Sequence, residues 1–153
     1  MRKMAMIIFL CIISILIITG CTSEVQSNIG DISNIEIYNN DIMFYVKDDT
    51  LSNSGATFLI ENNSDTILEY GESYHLEKYH NDSWHFLNTI TDATFNVPLW
   101  SLNHDENTEI TINWENFYGI LDSGNYRIVK DVSFVDKEGT LENFYIGVEF
   151  TIE

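Results

Sequence analysis

The chain is 153 residues long, a one-domain length, and its 24 acidic residues outnumber the seven basic ones to give a formal net charge of −17. That balance excludes nucleic acid as a partner, because a polyanion is bound through an excess of Lys and Arg. With 44% hydrophobic residues there is apolar material for one core, and with two cysteines there is no disulfide framework.

Arg2 and Lys3 open the chain with positive charge, and residues 6–18 are almost wholly apolar. That is the pattern of a secretory signal. The run is shorter than the roughly 20 residues that span a bilayer, which favours a removed leader over a transmembrane anchor. Its end, Ile18-Thr19-Gly20-Cys21, resembles the lipobox of bacterial lipoproteins: an aliphatic residue, two small residues and a cysteine. The small residues let the backbone enter a peptidase, and the thiol is the nucleophile that takes the lipid. The resemblance implies a leader over residues 1–20 and a diacylglycerol thioether on Cys21. Two acyl chains anchor stably, at about 0.8 kcal/mol per buried CH₂. Cys11 would leave with the leader, so the mature domain has no cysteine for a disulfide or a thiolate metal site. Arg2 and Lys3 would leave too, and only Lys47, Lys78, Arg127, Lys130 and Lys137 then face the 24 acids. Such a surface repels anionic headgroups and holds the domain off the bilayer.

Residues 21–40 are polar and read as a tether, with a short strand expected at 35–38. Beyond them no helical period appears. Short β-branched and aromatic runs, broken by Asn, Asp, Gly and Ser, predict strands at 42–47, 56–61, 74–79, 84–87, 107–114, 124–134 and 141–152. Asn62-Asn63-Ser64-Asp65 closes the second of these. Asn81-Asp82 marks a hairpin turn, and Lys137-Glu138-Gly139 another. Pro98, the one proline, lies in a long connection over residues 89–105. Seven or eight strands at this spacing predict an all-β antiparallel sandwich.

Leu121-Asp122-Ser123-Gly124-Asn125-Tyr126 is the most specific local pattern. In immunoglobulin-like sandwiches a tyrosine at the start of a late strand sends its hydroxyl back to nearby backbone. Asp122, Gly124 and Tyr126 supply the pieces of such a tyrosine corner; the alternative is an ordinary tight turn. Ile128 stands where antibody domains have a cysteine. Other motifs follow the same order: Leu59-Ile60-Glu61-Asn62-Asn63-Ser64-Asp65, Tyr70-Gly71-Glu72, Tyr74 and Leu76-Glu77-Lys78. Asn81-Asp82 with Trp84 comes next, then Ile112-Asn113-Trp114, Phe117-Tyr118-Gly119 and Gly124 through Lys130. Together they resemble the bacterial immunoglobulin-like domain of many small envelope lipoproteins, over residues 41–153. The resemblance implies an immunoglobulin-like sandwich of about seven strands and an envelope location, with no shared active site. It makes Tyr74, Leu76, Trp84 and Trp114 core or core-edge residues and Gly71 and Gly119 turn glycines.

Catalytic signatures are missing: there is no G-x-S-x-G, no H-E-x-x-H and no phosphate-binding glycine loop. Three of the four histidines, His75, His80 and His85, lie on one predicted hairpin. With an odd-numbered loop His75, Glu77 and His85 share a face, a conceivable metal site; with an even-numbered loop His75 and His85 point to opposite faces. Solvated histidines are the simpler expectation. Asp48-Asp49 and Asp105-Glu106 are loop carboxylates of the kind that hold extracellular calcium weakly. Glu61, Glu69, Glu72 and Glu77 are the carboxylates available for acid–base pairing. Arg127 and Lys130 stand three apart on one strand and so face opposite ways. A salt bridge to a strand carboxylate such as Glu149 is expected of one of them; the alternative is contact with an anionic ligand.

The sequence therefore predicts a lipid-anchored extracytoplasmic protein with a non-catalytic interaction module and no cofactor. Its partners would be the membrane, through Cys21, and an envelope protein or glycan. The alternative is a metal-binding or accessory enzyme working from the His75, Glu77 and His85 face.

Overall fold

The computed structural model describes residues 28–153 except Asn39, Ala93, Asn96, Val97 and Thr140. The expected leader, its lipobox and Cys21 lie outside the described residues. In chain order the elements are β1 (Ile29–Ile32), β2 (Ile42–Val46), β3 (Gly55–Asn62), β4 (Ile67–Gly71), β5 (His75–His80) and β6 (Ser83–Leu87). Then follow β7 (Leu99–Leu102), β8 (Glu106–Asn113), the short helix α1 (Glu115–Tyr118), β9 (Gly124–Val135) and β10 (Leu141–Ile152).

All pairings are antiparallel. Three strands form one sheet in the order β2-β3-β8; seven form the other, β1-β6-β5-β9-β4-β7 with β10 along the opposite edge of β9. This is the sandwich that the strand and turn spacing predicts. The alternation of buried side chains against the facing sheet is clearest in β3. Those buried there are Ala56, Phe58, Ile60 and Asn62, and Leu76, Ile128, Ile146 and Trp114 meet them from other elements.

Ten strands are present among the described residues, against about seven expected. The additions, β1, β4 and β7, are four or five residues long. Runs that short carry almost no alternation, and β7 follows directly on Pro98. The strand expected at 35–38 does not form. Instead residues 33–38 cross the outer face of the seven-stranded sheet. The Ser33 N–H donates to the Trp84 carbonyl at 2.8 Å and the Tyr38 N–H to that of Tyr145 at 2.7 Å, so the segment reaches from β6 to β10. Gly147 makes room for it: a Cβ there would stand 2.9 Å from Ile37 Cδ1 and 3.1 Å from the Ile128 carbonyl.

Strands β4 and β5 pair with the same edge of β9. Tyr70 opposes Val132 and His75 opposes Val129. Five steps along β4 and β5 thus face three along β9, and the two extra residues bulge out at Glu72 and Ser73. A bulge leaves carbonyls without ladder partners, and the residue of β9 beside it is Lys130.

Candidate functional site

The β5–β6 hairpin decides the histidine face. His80 opposes Ser83, so the loop is the two residues Asn81 and Asp82, both at positive φ as a primed turn requires. The loop is even-numbered, and Lys78 opposes His85 while Glu77 opposes Phe86. His85 therefore faces away from His75 and Glu77, so the metal face that an odd-numbered loop would have made from His75, Glu77 and His85 does not form. Among the described residues no three His, Cys, Asp or Glu gather as metal ligands. The same register moves Trp84 and Phe86 off the core face shared by Leu76. Trp84 lies half-buried on the outer face, its ring 4.8 Å from the Arg127 guanidinium. Glu61 lies in the three-stranded sheet, where it accepts the Tyr45 hydroxyl at 2.5 Å, and Glu77 lies in the other. They cannot act as an acid–base pair.

Glu77 is fully buried under residues 33–38. It accepts from Arg127 Nε at 2.7 Å, from Arg127 Nη2, and from the Ser33 hydroxyl at 2.6 Å. The expected partner Glu149 stands directly across from Arg127 on β10, but the ion pair runs to β5 instead. Sequence reasoning missed it because strands β5 and β9 are 50 residues apart. Beside the pair His75 Nε2 is buried without a hydrogen bond. Burial lowers the His75 pKa, against the pull of Asp131 and Glu77.

At the start of β9 the Tyr126 hydroxyl donates to the Asp122 carbonyl at 2.9 Å and contacts its carboxylate at 2.5 Å. Lys78 Nζ reaches the same carboxylate at 2.7 Å. Lys78, then Tyr126, hold the Asp122 carboxyl below its ordinary range. Gly124, at φ 154, leaves the room that the Lys78 stem takes. The group packs the corner. His104 is likewise engaged, with the Ser64 carbonyl at 2.8 Å.

A concave, aromatic-walled site lies elsewhere. Strands β7 and β8 leave the corner at residues 103–105 into different sheets, and a cleft of about 340 Å³ opens between them. Its walls are Tyr70, Tyr74, Phe95, Trp100 and Phe117 with Ile112. Phe95 stacks on Phe117 at 4.6 Å, and Trp100 lies 5.7 Å from Tyr70 with 41% of its surface exposed. At the floor is Lys130, 1% exposed, its ammonium donating to the Gly71 carbonyl at 2.8 Å and the Ser73 carbonyl at 3.0 Å. These are the carbonyls that the bulge frees.

Burial brings the Lys130 pKa down to about 8, although Asp131 and Glu72 pull it up. The sign of the linkage follows. Below pH 8 the lysine is charged in both the folded and the unfolded chain, and the cost of burying that charge is fully present. Between pH 8 and the ordinary 10.5 the unfolded chain holds more protons, so stability rises with pH. The gain is about 3 kcal/mol at 1.36 kcal/mol per pKa unit. Urea titrations at pH 7.5 and 9.5 should show stability rising for the wild type and a flatter response for Lys130→Met.

A family model described as a bacterial Ig-like domain matches residues 36–151, from the segment crossing the outer face to the end of β10. No curated protein matches the chain.

Proposed function

Because the chain belongs to the bacterial Ig-like domain family, we propose that it is a non-catalytic interaction module, held on the extracytoplasmic face of the cell membrane by a lipid on Cys21. The observation that carries the reading is the family sandwich, whose folds serve as binding scaffolds with function grafted on edges and loops. The cleft between β7 and β8 is one concave surface it offers for contact. The anchor rests on the resemblance of Ile18-Thr19-Gly20-Cys21 to the lipobox. The partner would be an envelope protein or glycan, because a chain with 24 acids is suited neither to nucleic acid nor to an anionic bilayer.

In-cell photo-crosslinking tests the module, with photoreactive residues at the loop positions Asp49, Asp105 and Lys137. One discrete adduct supports it; a turnover assay that found an enzymatic activity and no adduct would replace it. The anchor has its own test. Cys21→Ala is expected to move the protein from the membrane pellet to the soluble fraction or to leave an unprocessed precursor. Intact mass of the wild type should show a chain that starts at Cys21 and carries diacylglycerol. A wild-type chain that retains Met1 and no lipid would sink the anchor.

A further inference from the structure

Lys130 is an anomaly in the sandwich interior. The chain has 24 acids, yet none of the ion pairs among the described residues includes this buried cation. Its two acceptors are neutral carbonyls. An ammonium has three donors, so one is left, and a buried charge with no carboxylate in direct contact is costly to hold even with Asp131 and Glu72 nearby. Lys130 also lines an open cleft whose walls are largely aromatic.

We propose that the cleft between β7 and β8 binds a carboxylate carried on an apolar or aromatic group, with Lys130 as its counterion and Trp100, Phe95 and Phe117 as its apolar wall. The volume of about 340 Å³ lies at the small end of ligand pockets, room for one ring and a short stem. A single negative charge is specified rather than a phosphate or polyanion, because Glu72 lines the same cleft and the whole chain is acidic. This deepens the interaction-module reading by naming a ligand class for it. Free acids and the C-terminal carboxylate of a peptide share the chemistry, and the choice of probes separates them.

The test uses the full chain in detergent micelles with isotope-labelled lysine, the Lys130 signals being assigned through Lys130→Arg. The probes are 4-phenylbutyrate, its amide, N-acetyl-Ala-Ala-Phe with a free carboxylate, and the same peptide as its C-terminal amide. At least one acid should bind tenfold or more tightly than its own amide and shift the Lys130 side-chain resonances. Binding by phenylbutyrate alone identifies a small acid as the ligand; binding by the peptide alone identifies a chain terminus. Lys130→Met should erase the preference for acid over amide, and Trp100→Ala should weaken an acid and its amide alike. Should Lys130→Met not fold, the acid-to-amide ratio and the resonance shift in the wild type still decide. Equal affinities, no binding by any probe, or unmoved Lys130 signals would overturn the proposal. Those outcomes leave a crosslinked partner of the anchored chain untouched, so this proposal and the module reading fail separately.

Discussion

Arg127→Ala should destabilise the domain by about 3–5 kcal/mol, the cost of leaving a buried charge without its partner. The size comes from what stays behind. Glu77 has no exposed surface, and once the guanidinium is gone its carboxylate keeps only the Ser33 hydroxyl. Water cannot replace the lost donors without lifting residues 33–38, which are tied at Ser33 and Tyr38 to opposite sides of the sheet. The substitution also strips the cation from the Trp84 ring. Against a typical stability of about 5–15 kcal/mol the loss is severe. The double variant Glu77→Leu with Arg127→Leu should recover most of it, because paired apolar replacements remove the desolvation cost along with the attraction. Urea midpoints for the two single variants and the double variant measure this. A single Arg127→Ala loss under about 1 kcal/mol would mean that the pair is solvated.

Trp114→Ala should cost about as much, about 3–5 kcal/mol, by a different route. Trp114 has no exposed surface and sits where β8 ends and α1 begins. Its indole N–H donates to the Asn53 carbonyl at 2.9 Å, and its ring stacks on Phe150 at 5.4 Å, which in turn stacks on Tyr126 at 5.9 Å. Alanine leaves a cavity between the sheets and removes one of the two donors to the Asn53 carbonyl, which keeps the Leu121 N–H at 2.9 Å. Trp114→Phe keeps the stack and loses the hydrogen bond, so it should fall well short of the alanine loss. Thermal unfolding of both variants separates packing from hydrogen bonding; equal losses would contradict the cavity argument.

The all-β class was legible because alternation and turn residues are local signals. β10 is bounded as the sequence predicts, and β9 differs by only one residue, because long strands alternate over many positions. β1, β4 and β7 were not legible, being too short to show a period. Face assignment depends on loop parity, and one residue more or fewer inverts every side chain. That is why Trp84 was expected in the core or at its edge, and why the side of the hairpin taken by His85 was left to the loop's length. The Arg127–Glu77 pair needs a strand pairing that no local pattern specifies. Lys130 did leave a trace: Tyr126, Ile128, Lys130 and Val132 hold one parity on β9, so a lysine sits at an inward position. What the sequence could not show is the bulge between β4 and β5 that supplies its acceptors, nor the divergence of β7 and β8 that opens a cleft above it.

The most direct measurement is in-cell crosslinking from two positions of the anchored chain, compared side by side. Thr111 lines the cleft and is exposed; Asp82 lies in the β5–β6 turn, outside it. A discrete adduct from Thr111, absent from Asp82 and diminished by Cys21→Ala, is the predicted result for a membrane-held module that meets its partner at the cleft. An adduct from Asp82 with none from Thr111, or one indifferent to the cysteine, would contradict it.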